Sequence, residues 1–188
     1  MYMIKIKILN EIEKKNISIK NEAITLIGEI LPSLINLKWD YSIKYYSINE
    51  IKEMAFPNET YDLTILNDSI FVGAYNNEEL IGLLILKEGP FKYIYLDDIK
   101  VNRNYRNKGI GTLLIKKAME VSKNKDYKGI YTIVQNNNVN AFLFYIKCNF
   151  YIGGVDTNVY KYTKQEDKFD IFMYLDFWYL FYIKYIDF

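Results

Sequence analysis

The feature that most constrains the fold is a run of three strand-like segments followed by a glycine turn and a helix-like segment. The segments SIFVGAY (69–75) and ELIGLLILK (79–87) flank the pair Asn76-Asn77, which is typical of a β-hairpin. After a KEGP turn, FKYIYLDDIKV (91–101) has the composition of a third strand. The later segment IGTLLIKKAMEVSK carries apolar residues at helical spacing. The order strand, glycine turn, helix is therefore predicted for the centre of the chain.

The remaining segments add more strands than helices. The polar stretch Asn49–Asp68 is predicted to be a loop, and a second helix is predicted to start near Asn138. Further strands are predicted over residues 3–9, 22–31, 37–48 and 129–134, twice around Gly153-Gly154 within 149–162, and in the C-terminal aromatic run. With only two clear helices, the sequence predicts an α+β fold, a mixed α/β layer. Its 188 residues suit a single domain, 1–188.

Composition excludes several kinds of function. The 24 basic and 23 acidic residues leave a net charge of +1, which provides no broad field for binding nucleic acid or an anionic membrane. The chain has no histidine, so Ser-His-Asp triads and imidazole metal ligands are excluded. A single cysteine, Cys148, cannot form a metal–thiolate cluster or an internal disulfide. We therefore expect a cytoplasmic protein without a metal, whose chemistry comes from carboxylates, tyrosines, backbone amides and an organic cofactor.

The C-terminal run IFMYLDFWYLFYIKYIDF looks membrane-like because it is so apolar. Asp176 and Lys184 interrupt it, and it is too short and too aromatic for a spanning helix. We predict buried or sheet-forming structure there, with a strand over residues 169–182.

The stretch RNKGIGTLL (106–114) places glycines and cations at a predicted helix start. A Walker-type loop requires G-x-x-x-x-G-K-[ST], whereas Lys108 precedes Gly109. A dinucleotide fingerprint requires a third glycine where this chain has Leu114. The remaining pattern is R-x-x-G-x-G between a strand and a helix.

This pattern favours binding of a pyrophosphate. A helix N-terminus leaves backbone N–H groups without partners, and Gly109 and Gly111 let a ligand approach the backbone. Arg106 and Lys108 add positive charge, and Thr112 adds a hydroxyl donor. The alternative is a glycine turn that only starts a helix.

The same region resembles motif A of the Gcn5-related N-acetyltransferases (GNAT), in which [RQ]-x-x-G-x-[GA] follows a strand that ends in valine. Downstream, NVNAFLFYIKCNF resembles the N-x-x-A-x-x-x-Y-x-x-x-G-F motif of that family, except that Asn149 replaces the usual glycine. YLDDIKV, QNNN, IGGVDTNVYKY, FWYL and GEILPSLINLKW are similar to the streptothricin acetyltransferases within the family. The resemblance implies a central, mostly antiparallel and splayed sheet flanked by helices. It also implies direct acetyl transfer from acetyl-CoA to a primary amine.

The resemblance assigns roles to individual positions. For acetyl-CoA it implies pantetheine contacts at the backbone of Ile99 and Val101, a further contact from Asn138, and a pyrophosphate loop. That loop comprises Arg106, Asn107, Lys108, Gly109, Ile110, Gly111 and Thr112. Arg103 is either a ligand of the adenosine phosphate or a solvated charge.

For catalysis, Asp98 is expected to be the general base, with Asp97 second, and Tyr145 the general acid that protonates the CoA thiolate. Strand alternation is expected to point the two aspartates to opposite faces. The alternatives are carboxylates that only attract the substrate and a tyrosine that only packs.

The expected acceptor is a small cationic amine, specifically the β-lysine amine of streptothricin, so that acetylation gives antibiotic resistance. The resemblance implies substrate contacts from Asp156, Tyr160 and Trp39, and Asp97 is expected to join them, since carboxylates and aromatic faces attract cations. The alternative for Trp39 is packing in the core. The stretch EMAFPNETYDLTILND is shorter and less acidic than the corresponding insert of that group, which keeps other acceptors open. Protein amines, other small amines and non-catalytic acyl-CoA binding are the alternatives, and a homodimer is possible.

Overall fold

The structure is a computed structural model that describes residues 4–55, 57, 61 and 63–177. The strands within these residues are β1 (Ile4–Ile8), β2 (Ile24–Leu26), β3 (Gly28–Ile35), β4 (Lys38–Tyr45), β5 (Lys52–Met54), β6 (Ser69–Asn76), β7 (Glu79–Lys87), β8 (Tyr93–Val101), β9 (Gly129–Gln135), β10 (Tyr151–Asp156) and β11 (Asp170–Asp176). The helices are α1 (Glu11–Lys15), α2 (Leu63–Asp68), α3 (Ile110–Asn124) and α4 (Val139–Lys147), with a 3-10 turn at Arg103–Tyr105.

The strands form one seven-stranded sheet in the order β1-β6-β7-β8-β9-β11-β10 and two short sheets, β2-β5 and β3-β4. Neighbouring strands pair antiparallel in β1–β6, β6–β7, β7–β8 and β10–β11. The predicted α+β class is confirmed. The chain divides into two compact units, 1–22 with 56–130 and 176–188, and 23–55 with 131–175. The assignment of residues 1–188 to one acetyltransferase domain stays a prediction.

In the first unit, β7 is buried on both faces. The hydrophobic side chains among residues 81–86 are at most 1% exposed. Burial of each such side chain contributes about 1.5–3 kcal/mol to the free energy of folding. Leu83 and Ile85 pack with Phe71 in one cluster. Gly82 lies on the other face, where a Cβ would meet the Ile110 and Leu114 side chains of α3 at 3.3 Å. Strand alternation therefore sends one set of residues to the core cluster and the other to α3.

In the second unit, β3 and β4 form a hairpin whose turn residues Asn36 and Leu37 have φ values of 50° and 63°. Positive φ at both positions suits the tight turns that join antiparallel strands. Phe142 of α4 is fully buried, and its ring meets the ring of Tyr41 edge to face at 4.7 Å. The amide of Ile30 donates to the carbonyl of Asn136 at 2.8 Å, which ties β3 to the segment before α4.

Some predicted elements were wrong. The predicted loop Asn49–Asp68 contains β5 and α2, and β5 is a strand because Ile24 of β2 pairs with Met54. Within 149–162 only β10 forms, since the amide of Asn158 donates to Oδ1 of Asp156 and turns the chain. Short α1 and α2 were not foreseen. The strand predicted over residues 169–182 is observed as β11, which ends at Asp176. The part of that prediction beyond residue 177 lies outside the described residues.

Gly153 and Gly154 provide a matched test of packing in β10. A Cβ at Gly153 would overlap the ring of Tyr174, whereas no described atom lies within 4 Å of a Cβ at Gly154. We expect Gly153→Ala to destabilise the protein by about 1–3 kcal/mol, because the ring must leave its place beside Tyr131 and Tyr151. Gly154→Ala should change stability little. Thermal unfolding measures both, and equal melting temperatures would contradict the packing described.

Candidate active site

Strand β8 has a β-bulge at Asp97, the first of its two adjacent aspartates. Ile85 of β7 pairs with Asp98 and Leu86 pairs with Leu96, so Asp97 is an extra residue on the β8 side. Strict alternation would send Asp97 and Asp98 to opposite faces, but a bulge interrupts that alternation and re-aims side chains. Both side chains remain partly exposed, at 27% and 22%. The strand that carries both aspartates is therefore bulged at Asp97.

Each aspartate is ion-paired with a lysine. Nζ of Lys87 lies 2.7 Å from Asp97, and Nζ of Lys100 lies 2.9 Å from Asp98. Lys100 also donates to Oδ1 of Asn21 at 2.8 Å, which fixes its position. An incoming ammonium group would have to compete with Lys100 for the carboxylate of Asp98. Sequence reasoning did not identify Lys100, although the spacing of two residues along one strand could have indicated it.

The glycine loop has the backbone geometry of an anion site. Gly109 is the N-cap of α3 with φ of 81°, a left-handed conformation that favours glycine, and Asn107 has φ of 60°. The N-cap makes no side-chain hydrogen bond to the first turn of the 15-residue helix. The N–H groups of that turn are consequently available to a ligand, and the helix dipole favours a negative charge there.

The two cations of the loop contact the protein. Nε of Arg106 donates to the carbonyl of Val101 at 3.0 Å, and its terminal nitrogen contacts Glu22 at 3.1 Å. Lys108 donates to the carbonyl of Asn104 at 2.8 Å. Glu22 also accepts from the amide of Arg103. Arg106 therefore holds the loop in place, and its charge is offset by Glu22, which no sequence signal indicated because it lies 84 positions away.

Asn138 caps the N-terminus of α4 in the second unit. Its Oδ1 accepts from the amide of Ala141 at 3.2 Å. Within the part of the chain that the structure describes, the side-chain nitrogen of Asn138 makes no hydrogen bond. The side-chain nitrogen of Asn138 is therefore a donor that a ligand can use.

Tyr145 is held by the end of α4. The amide of Phe150 donates to the carbonyl of Tyr145 at 3.0 Å and that of Asn149 to Ile146 at 2.9 Å, which together form a Schellman motif. Asn149 has φ of 66°, and asparagine tolerates this conformation better than other non-glycine residues. The departure from the family's glycine is thus accommodated. The Tyr145 ring lies 5.1 Å from that of Phe150 and the residue is 5% exposed.

Three of the acidic and aromatic groups in the second unit come together at the ends of β10 and β11. Asp156 pairs with Asp170 across the two strands, and the hydroxyl of Tyr160 donates to Oδ1 of Asp170 at 2.8 Å. No lysine or arginine of the described residues forms an ion pair with either aspartate. Trp39 lies on β4, opposite Leu34 of β3. Asp170 was not foreseen, since nothing in the sequence distinguishes it from other aspartates beside an apolar run.

Burial sets the ionisation of this cluster. Asp170 is 9% exposed, and desolvation raises the pKa of its carboxyl, as does the charge of Asp156, although the Tyr160 hydrogen bond opposes this. Desolvation also raises the pKa of Tyr160, and its hydrogen bond to Asp170 acts in the same direction. A positively charged ligand beside Asp156 and Asp170 would lower the cost of the buried charge.

Within the described residues, no three His, Cys, Asp or Glu side chains are placed to hold a metal ion. No helix in the described part of the chain is long and apolar enough to cross a membrane.

Asp170 makes stability depend on pH. Its folded pKa is raised, so the native state loses stability as pH rises from the ordinary value near 3.9 through the folded value. Asp170→Asn keeps an acceptor for Tyr160 without the charge. We expect its melting temperature relative to wild type to increase from about pH 3.5 to about pH 7.

The control is Asp167→Asn. The hydrogen bond from Lys168 lowers the pKa of the exposed Asp167 carboxyl, so that variant should show a small change of opposite sign over the same interval. A difference in melting temperature between Asp170→Asn and wild type that does not vary with pH would contradict a raised pKa of the Asp170 carboxyl.

Comparison with known proteins identifies the family of this chain. Residues 31–150 match the acetyltransferase (GNAT) family. Streptothricin acetyltransferase A of Bacillus subtilis (strain 168) is 28% identical over 172 residues, which cover 90% of this chain and 98% of the relative. A streptothricin acetyltransferase of Escherichia coli is 33% identical over 114 residues, or 61% of this chain and 63% of that protein.

A solved structure agrees with these matches. The crystal structure of a Bacillus anthracis (strain Ames) protein, provisionally named a streptothricin acetyltransferase and solved with acetyl coenzyme A, is 30% identical with a TM-score of 0.83. The alignment covers 93% of this chain and 100% of that protein. The predicted family, the fold and acetyl-CoA as co-substrate are confirmed. The chain belongs to the GNAT family and is an acetyl-CoA-dependent N-acetyltransferase.

Proposed function

We propose that this enzyme acetylates the β-lysine amine of streptothricin and thereby gives resistance to that antibiotic. The similarity to streptothricin acetyltransferase A over 90% of this chain carries the proposal, because it includes the segments on both sides of the shared acetyltransferase motifs. The carboxylate pairs Asp97 with Asp98 and Asp156 with Asp170 support a cationic acceptor.

Acetyl-CoA is held mainly by backbone groups in this proposal. The first-turn amides of α3, with Asn107 to Thr112, bind the pyrophosphate, and the backbone of Ile99 and Val101 follows the pantetheine. Asn138 donates to the same arm through its side-chain nitrogen. Arg106 acts by holding the loop against Glu22. A pyrophosphate site made of amides needs little net positive charge from side chains.

The reacting amine must lose a proton. An alkylammonium has a pKa near 10.4, so supplying the neutral amine at pH 7 costs about 4–5 kcal/mol. The proposal assigns Asp98 as the base that accepts this proton, directly or through water. The amine nitrogen then attacks the thioester carbonyl carbon, and the carbon–sulfur bond breaks.

Tyr145 donates its phenolic proton to the departing CoA sulfur. A free thiol has a pKa near 8.5, so protonation assists departure only modestly. The Schellman motif at the end of α4 and the ring contact with Phe150 support this role, because they fix the position of Tyr145.

The acceptor is held by charge and by aromatic faces. The family resemblance assigns contacts with the ammonium groups of the acceptor to Asp97, Asp156, Tyr160 and Trp39. Asp170 strengthens the attraction at Asp156, because the two carboxylates are cross-strand partners without a cation from the described residues. Streptothricin carries several ammonium groups, whereas a monoamine offers one.

A thiol-release assay with acetyl-CoA tests the proposed function. We expect rapid turnover with streptothricin and much slower turnover with lysine, spermidine and lysine-containing peptides. Mass spectrometry of the product should place one acetyl group on the β-lysine moiety. Turnover confined to peptides or to other small amines would replace the proposed acceptor, and tight acetyl-CoA binding without turnover on any amine would indicate a non-catalytic protein.

The two aspartates of β8 are matched controls for each other, since they are adjacent and each is paired with one lysine. We expect Asp98→Asn to lower kcat by about 10²-fold or more and to shift the optimum of kcat upward in pH, because the amine must then deprotonate without a base. Asp97→Asn should raise KM for streptothricin with a smaller change in kcat. Both variants should keep the acetyl-CoA affinity of wild type.

Steady-state kinetics across pH, with calorimetry for acetyl-CoA, separate these effects. The opposite pattern, loss of kcat in Asp97→Asn and a KM effect in Asp98→Asn, would transfer the role of base to Asp97. An unchanged pH profile in both variants would remove the base from β8.

A further inference from the structure

The three asparagines between β9 and α4 differ in their hydrogen bonds. Oδ1 of Asn136 accepts from the amide of Phe169 at 3.2 Å, and Oδ1 of Asn138 accepts from the amide of Ala141 at 3.2 Å. Asn137, between them, is 3% exposed, and its Oδ1 has no hydrogen-bond partner among the described residues. The side-chain oxygens of Asn136 and Asn138 therefore accept backbone hydrogen bonds, whereas that of Asn137 has no partner within the described residues.

A buried acceptor without a partner opposes folding. Leaving such a group unsatisfied costs about 1–3 kcal/mol. Buried polar groups in native proteins are nearly always hydrogen-bonded, so each exception needs an explanation. Leucine has nearly the shape of asparagine and would not incur this cost. Within the described residues, no hydrogen bond offsets the cost of burying Oδ1 of Asn137, which is typical of a residue whose partner arrives with a ligand.

We propose that Oδ1 of Asn137 accepts a hydrogen bond from an N–H group of the pantetheine arm of acetyl-CoA. The inference rests on the proposed placement of that arm at Asn138, the next residue. One lone pair of the Asn138 oxygen is engaged in capping α4, whereas the side-chain nitrogen of Asn138 is a donor. An amide of the arm has both an N–H and a carbonyl group, and Asn137 supplies an acceptor oxygen that makes no hydrogen bond among the described residues.

The chemistry at Asn137 selects the ligand group. A side-chain carbonyl can only accept, so its partner must carry an N–H or O–H group. The phosphates of CoA are acceptors and do not qualify. The pantetheine arm has two amide N–H groups, and the half of CoA without this arm, adenosine 3′,5′-bisphosphate, provides a matched probe.

The experiment compares Asn137→Leu with two control variants. Asn136→Leu removes an amide that has a partner, and Ser69→Ala removes a buried Oγ that is also without a described partner but lies at the start of β6. Asn137→Ala serves as a second variant if leucine prevents folding. Calorimetry measures the affinity for acetyl-CoA and for adenosine 3′,5′-bisphosphate, and thermal unfolding measures the stability of the free protein.

We expect Asn137→Leu to bind acetyl-CoA about 3- to 10-fold more weakly and adenosine 3′,5′-bisphosphate as well as wild type. Its melting temperature without ligand should equal or exceed that of wild type. Asn136→Leu should melt at a lower temperature, and Ser69→Ala should bind both ligands like wild type. Removal of a purely structural amide would lower stability, so weaker binding without lower stability indicates a contact with the ligand.

Three results would overturn the inference. They are wild-type affinity for acetyl-CoA in Asn137→Leu, equal weakening for both ligands, or a fall in melting temperature like that of Asn136→Leu. A raised KM for the amine acceptor at unchanged acetyl-CoA affinity would place Asn137 at the acceptor instead. The proposed function is tested separately, because turnover of wild type with streptothricin does not depend on the outcome for Asn137.

Discussion

The antiparallel pairing of β7 with β8 is the interaction on which the first unit depends. β7 is buried on both faces, and its register places Gly82 opposite Val101 at the end of β8. That end leads through the 3-10 turn into the glycine loop and α3. The same ladder contains the bulge at Asp97, so one set of strand hydrogen bonds positions both the proposed base and the proposed phosphate loop.

The two cationic side chains of the glycine loop, Arg106 and Lys108, are bound to other groups of the protein. Two cations beside a phosphate loop suggest direct ion pairs with the ligand. The structure instead joins Arg106 to Glu22 and to the carbonyl of Val101, and Lys108 to the carbonyl of Asn104. The loop geometry is thereby fixed before a ligand binds, and amides at the N-terminus of α3 remain as the groups that can contact phosphate oxygens.

The second unit contains groups that oppose stability. Asp170 keeps a carboxyl in a buried place beside a second carboxyl, and Asn137 keeps an amide oxygen without a described partner. Proteins rarely retain such groups where an apolar residue would fit, unless a ligand compensates for them. Asn137 adjoins Asn138 in sequence, and Asp170 pairs with Asp156 and accepts from Tyr160. The family resemblance associates Asn138, Asp156 and Tyr160 with acetyl-CoA or substrate, which agrees with a functional role for the two buried groups.

The sequence by itself determined the acetyltransferase family, the strand–loop–helix order and the position of both motifs. These depend on local properties: strand and helix periodicity, a glycine that must adopt positive φ at residue 109, and an asparagine that can do so at residue 149. Only the tertiary structure decided what Arg106 and Asp156 contact, since Glu22 and Asp170 come from pairings that periodicity does not encode. It also decided that residues 52–54 form a strand, because that strand exists through its pairing with β2. Side-chain partners and burial arise when distant segments pack, and no short stretch of sequence contains them.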